Sequence, residues 1–222
     1  ILPRFEDDFT VYTIDRRGRG GSGDAPDYSI MREAEDVAAV VEAIDEPTFV
    51  LGHSYGGLVS LEAALLTHEV SKLVLYEPDA PRGVSPIPPD VLERMEALID
   101  RGESEAALEV VFREIVGMPE HELEAYRQLP VWNVRIQLAP TIGREVDIYR
   151  TYTFNADRFA QLPVPTMLLL GGDSPPFARE AVELVDTTLP NSEIVVLPGQ
   201  QHIAMDTDPE LFVKKVKRFM MQ

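Results

Sequence analysis

The segment FVLGHSYGGLVSLEAALL, residues 49–66, constrains this chain more than any other. An apolar run ends at Leu51, a serine stands between two glycines, and an apolar pattern with helical spacing begins at once. No room is left for an ordinary turn, so the chain must pass from strand to helix across Ser54 itself. Gly52-His53-Ser54-Tyr55-Gly56 has the Gly-x-Ser-x-Gly spacing, and its place between a strand and a helix gives the spacing its meaning. Such a turn forces Ser54 into a strained backbone conformation and lifts its Oγ above the sheet. The glycines on either side let neighbouring backbone come close. The amide of Tyr55 then sits at a helix N-terminus, where an N–H group can stabilise an oxyanion.

The rest of the chain alternates in the same way. Short β-branched or apolar runs at residues 11–14, 49–51, 73–76, 167–170 and 194–197 read as strands. Residues 29–44, 55–66, 178–189 and 209–220 read as helices, the last with Asp208 as its cap. Strand then helix, repeated, with strands apolar throughout, predicts an α/β fold with a mostly parallel sheet covered on both faces. Residues 81–158 break the rhythm. Apolar positions at helical spacing predict helices over 91–99, over 108–115 with Ser104 as cap, and over 123–129, with no β-run between them. We expect a core in two parts, residues 1–80 and 159–222, and an all-helical cap at 81–158. Phe112, Tyr126 and Trp132 are the candidates to line a substrate pocket there. From Asp90 to Glu124 there are 11 acidic and 3 basic residues, which reads as a solvated outer face.

Composition narrows the partners. The 222 residues suit one domain of ordinary size with an insertion, and 45% apolar residues supply a core. The 38 acidic and 20 basic residues leave a charge of −18, without the basic footprint that nucleic acid or an anionic membrane surface requires. A small-molecule substrate is the expected partner. There is no Cys, so disulfides and thiolate metal sites are excluded. The apolar runs are far too short to span a bilayer. No signal segment is visible, which points to the cytoplasm. Because the chain starts at Ile1, a leader further upstream stays an open alternative.

A serine hydroxyl needs a base, and the base needs an orienting group. Of the four histidines, His53 adjoins Ser54 but should point away from the crevice, and His68 and His121 lie in helix or helix-end contexts. His202 follows the last strand in LPGQQHIAMDTDPELF, on the carboxyl side where α/β sheets place their sites. Asp173, in TMLLLGGDSPPF, follows a strand and two turn-permitting glycines, giving the chain order serine, acid, histidine. Glu77 and Asp79 in YEPDAP are rivals for the acid, because they too follow a strand.

Together these stretches resemble the α/β-hydrolase family. VYTIDRRGRGGSGD is similar to the family's Asp-x-Arg-Gly-x-Gly-x-Ser loop, with Asp15, Arg17, Gly18, Gly20 and Ser22 in place. GHSYGG resembles the nucleophile elbow, LGGDSPP the acid turn and GQQHIAMDTDPELF the histidine loop. The resemblance implies an α/β-hydrolase fold with a small helical cap, structural roles for Asp15 and Arg17, and a catalytic triad of Ser54, Asp173 and His202. Serine at position 54 argues against the relatives that use a carboxylate nucleophile. The family also places an antiparallel strand pair, a third strand and a His-Gly loop carrying a second oxyanion donor ahead of the run at 11–14. Their absence leads us to expect a longer working protein. The implied activity is carboxylic-ester hydrolysis without cofactor or metal. C–C bond hydrolysis, lactone opening, cofactor-free peroxidation and a ligand-binding homologue with little turnover are the alternatives.

Overall fold

The computed structural model describes residues 1–82 and 87–222. They divide into two compact units. One comprises Ile1–Arg17, Ala25–Ala80 and Asn155–Gln222; the other comprises Gly18–Asp24 and Pro81–Phe154.

The first unit is built on a parallel sheet of four strands among the described residues: β1 (Thr48–His53), β2 (Val70–Tyr76), β3 (Thr166–Gly171) and β4 (Ser192–Leu197), in that spatial order. Parallel neighbours need a crossover, and helices Tyr55–Ala63 and Pro176–Thr188 pack on the strands they join. The central strands are apolar because both faces are covered. Val74 and Tyr76 of β2 and Met167 and Leu169 of β3 bury one face against Phe212, Val213, Val216 and Phe219 of the last helix, Pro209–Met220. By strand alternation Leu73, Leu75, Leu168 and Leu170 turn to the opposite face, and they are just as buried. Side-chain caps start two of the flanking helices. Ser29 accepts the Arg32 N–H ahead of Ile30–Ile44, and Asp208 accepts the Leu211 N–H ahead of Pro209–Met220, each worth about 1 kcal/mol.

The run at 11–14 is not a strand. It joins no ladder: Val11 packs against the sheet-face core, whereas Tyr12 and Ile14 are exposed. A β-prone run becomes a strand only by pairing, and β1, the outer strand of the sheet, takes its ladder from β2.

The second unit is helical. Pro89–Asp100, Ser104–Val110, Glu120–Tyr126 and Val131–Leu138 are its main helices, and the second runs directly into a π-turn, Val111–Ile115. Ile87, Val91, Leu92, Met95, Ala107, Val111 and Val146 form its core. Ser104 is the first helical residue rather than the cap, a place taken by Glu103 without a side-chain bond. The boundaries also differ from the expected 81–158. Residues 155–158 belong to the sheet unit, where Phe159 is fully buried and Arg158 grips buried Glu62. The loop 18–24 joins the helical unit through Arg19, which bonds Thr141 and Glu145, and through Asp24, which accepts from Arg144 at 2.9 Å. Residues 83–86 of the expected cap lie outside the described residues. No helix among the described residues is long and apolar enough to cross a membrane.

Candidate active site

Ser54 stands between β1 and helix Tyr55–Ala63 with φ 53° and ψ −125°, a conformation that costs a non-glycine residue of order 1–3 kcal/mol. Backbone bonds hold it there. The Ser54 N–H donates to the Tyr76 carbonyl at 2.9 Å, and its own carbonyl accepts from Gly57 at 2.8 Å, Leu58 at 3.3 Å and Asp79 at 3.4 Å. The glycines divide the work unevenly. A Cβ on Gly52 would collide with the Gly56 carbonyl and lie 2.5 Å from Ser60 Oγ and 2.8 Å from Gly57 Cα. A Cβ on Gly57 would lie 2.9 Å from the Pro78 side chain, whereas Gly56 has open space. Close approach is therefore needed at Gly52 and Gly57, one place later than the motif's second glycine.

The acid partner of His202 is Glu77, not Asp173. His202 Nδ1 and Glu77 Oε2 lie 2.6 Å apart. The other carboxylate oxygen, Oε1, accepts the Gly171 N–H at 2.8 Å and the Ser174 hydroxyl at 2.5 Å. The Glu77 side chain is 2% exposed and that of His202 19%. A carboxylate so buried is tolerated because three donors surround it. Glu77 itself takes φ 42° at the end of β2, with its N–H on the Leu169 carbonyl at 3.0 Å. Asp173 is exposed, and its N–H donates to the Gln200 carbonyl at 3.0 Å. The physical reason for the exchange lies in the sheet. β2 and β3 are neighbours with their carboxyl ends side by side, so either can present a carboxylate to the loop after β4. Here the turn after β3 supplies donors to a carboxylate from β2. Gly171 has no space for a Cβ, which would meet Ser174 Oγ and lie 2.6 Å from the Gln200 carbonyl oxygen.

Two further side chains fix the histidine loop. Tyr76, the last residue of β2, donates its hydroxyl to the Gln201 carbonyl and accepts the Ala204 N–H at 3.2 Å. Its burial holds the phenol well above its ordinary pKa, so the hydroxyl stays a donor. His53 does not turn away from the site. Its Nε2 lies 2.7 Å from the His202 carbonyl oxygen, which can only accept, so Nε2 carries the proton. The His53, Tyr76 and His202 rings pack as a tilted cluster, with the His53 centroid 5.2 Å from Tyr76 and 4.5 Å from His202, and those two 6.3 Å apart. Nothing in the spacing of Tyr76 could reveal its role, whereas His53 was visible as a histidine bonded directly to the candidate nucleophile.

Tyr55 opens the helix that follows Ser54, as its expected backbone role requires. Its side chain is engaged elsewhere. The hydroxyl lies 2.6 Å from that of Tyr28, which donates to buried Glu33 at 2.7 Å; Arg16 pairs with Glu33 at 2.9 Å and covers the Tyr55 ring. Desolvation first, then the bonds to Tyr55 and Glu33, drive the Tyr28 pKa upward. Arg17 forks onto Asp36 with bonds of 2.5 and 3.0 Å, tying its loop to helix Ile30–Ile44. Phe112, Tyr126 and Trp132 pack on one another inside the helical unit, with ring centroids 5.2 to 5.9 Å apart. Trp132 Nε1 donates to Glu105 at 2.9 Å, and Arg135 donates to the Tyr126 hydroxyl at 3.0 Å. These three rings form one buried aromatic cluster. Among the described residues no group of three His, Asp or Glu side chains converges as a metal site.

Ser54, Glu77 and His202 thus follow the carboxyl ends of β1, β2 and β4, at one end of the parallel strands. The comparisons with known proteins agree with that architecture. A crystal structure described as an alpha/beta hydrolase from Sphaerobacter thermophilus is 34% identical, with a TM-score of 0.73, over 90% of this chain and 79% of that one. A hydrolase from Pseudomonas aeruginosa is 23% identical, with a TM-score of 0.75, over 99% and 82%. Among curated proteins, the 2-(acetamidomethylene)succinate hydrolase of Mesorhizobium japonicum is 22% identical over 99% of this chain and 81% of its own length. The model of the alpha/beta hydrolase family matches residues 1–215, and the chain belongs to that family.

Proposed function

We propose that the protein is a serine hydrolase that cleaves carboxylic esters of small or medium alcohols through an acyl-enzyme on Ser54. The observation that carries this reading is the buried carboxylate of Glu77 on His202 Nδ1. With its proton on Nδ1 and facing Glu77, His202 keeps a lone pair on Nε2 for a hydroxyl proton. Ser54 Oγ attacks the ester carbonyl while its proton passes to Nε2. The resulting oxyanion is met by the Tyr55 backbone N–H at the start of the helix. Collapse expels the alcohol, which takes the proton from Nε2. Water, deprotonated by the same nitrogen, then attacks the acyl group and returns Ser54 and the free acid. The Glu77 carboxylate accepts from Nδ1–H and stabilises the imidazolium. No cofactor is needed for these steps.

Hydrolysis of a graded series of p-nitrophenyl esters by the wild type and Ser54→Ala tests the reading. The expected result is steady turnover with a chain-length optimum, abolished in Ser54→Ala at an unchanged thermal midpoint. A folded wild type that turns over no member of the series, nor a lactone or an acyl amide included beside it, would reject it in favour of a ligand-binding homologue.

A further inference from the structure

We propose that His53 is a positioning residue for the reaction, locking the histidine loop to the nucleophile elbow. The inference rests on the serine-hydrolase reading above and goes one step beyond it. His53 is bonded covalently to Ser54, and its Nε2–H donates to the main-chain carbonyl of His202 at 2.7 Å. One side chain therefore fixes the backbone of the base relative to the backbone of the nucleophile. Glu77 sets the rotation and tautomer of the His202 ring, but a side-chain bond to Nδ1 leaves the main chain of the loop to be held by other means. Tyr76 holds it on either side, at the Gln201 carbonyl and the Ala204 N–H, and His53 holds it at His202 itself. The His53 ring packs against both the Tyr76 and the His202 rings, so its own freedom is small. Ser54 already sits in a strained conformation, and a second anchor at the adjacent residue keeps that strain from being relieved by a shift of the elbow away from the base.

The donor alone is asked to carry the effect, so the test compares residues of similar length with and without one. His53→Gln places an amide N–H near the position of Nε2; His53→Met places a thioether there. Loss of alignment by a fraction of an ångström to 1 Å costs up to about 10²-fold in rate. We expect His53→Met to lower kcat on p-nitrophenyl butyrate by about that order with little change in KM, and His53→Gln to recover most of the loss at a similar thermal midpoint. A folded Met variant with wild-type kcat, or Gln and Met equally impaired, overturns the proposal. A second readout needs no variant. The ring-nitrogen NMR spectrum of the wild type should show His53 protonated at Nε2 and His202 at Nδ1. A proton on His53 Nδ1 with Nε2 bare overturns it as well. Because that spectrum requires no turnover, a protein that fails to hydrolyse any ester would reject the function above and still leave the link between His53 and His202 open to judgement.

Discussion

Replacing Glu77 by Gln probes the site at the point where sequence and structure part. The change keeps size and shape and removes only the charge. In the wild type the side chain accepts three hydrogen bonds, at 2.8 Å from Gly171, 2.5 Å from Ser174 and 2.6 Å from His202. A carboxamide has a single acceptor oxygen. If that oxygen faces His202, the NH₂ group is driven against the Gly171 N–H, donor against donor, in a buried site. If it faces Gly171 and Ser174, the NH₂ faces His202 and must donate to Nδ1. The second arrangement leaves no donor buried and opposed, so it prevails. It forces the His202 proton onto Nε2, the atom that should receive the Ser54 proton. The analogous Asp→Asn change in a protease of another fold lowers kcat about 10⁴-fold, and we expect a loss of that order here. One charge-assisted bond is worth about 1.5–3 kcal/mol, and in a chain of this size each kcal/mol moves the midpoint by roughly 2–4 °C. Glu77→Gln should therefore stay folded at ambient temperature while losing activity. The assay is kcat on p-nitrophenyl butyrate beside a thermal melt, with Asp173→Asn as the control. Asp173 is exposed, so a surface change of this kind should shift stability by about 0.5 kcal/mol at most and leave kcat near the wild-type value. A mild Glu77→Gln and a crippled Asp173→Asn would refute the reasoning.

The elbow glycines should separate on mutation. Gly52→Ala meets backbone and should cost about 1–3 kcal/mol by thermal or urea unfolding, while Gly56→Ala, with open space around its Cβ, should be neutral or stabilising. Arg158→Ala should lower the midpoint by leaving the fully buried Glu62 carboxylate without its bidentate partner. Breaking a buried pair costs about 3–5 kcal/mol, and the 39% exposure of Arg158 puts the loss at or below the lower end. Tyr76→Phe removes the hydroxyl that ties Gln201 to Ala204 and should lower kcat more than it lowers the midpoint, because the phenyl ring keeps its packing against Phe212.

Much of the fold was legible because its signals are local. Leu73–Tyr76 and Met167–Leu170 are apolar on both faces, as strands of a sheet covered on both sides must be, and helix Pro209–Met220 has the bounds that its cap and periodicity imply. The elbow at Ser54 was legible because strand, glycine and helix converge on one residue. The acid was not. Glu77 and Asp173 both follow a buried strand, and the choice between them depends on which one the turn after β3 supplies with donors, a long-range fact carried by Gly171 and Ser174. The run at 11–14 has strand chemistry, but pairing is decided by a neighbour rather than by the run itself.

The central claim is that Ser54 is a nucleophile activated by a His202 that Glu77 orients. Fluorophosphonate labelling followed by intact-mass and peptide analysis tests it most directly, because the reagent requires an activated serine and no knowledge of the natural substrate. We expect a single adduct, located on Ser54, absent from Ser54→Ala and slowed by orders of magnitude in Glu77→Gln. An adduct on another residue, or a folded wild-type protein that takes up none, would contradict it.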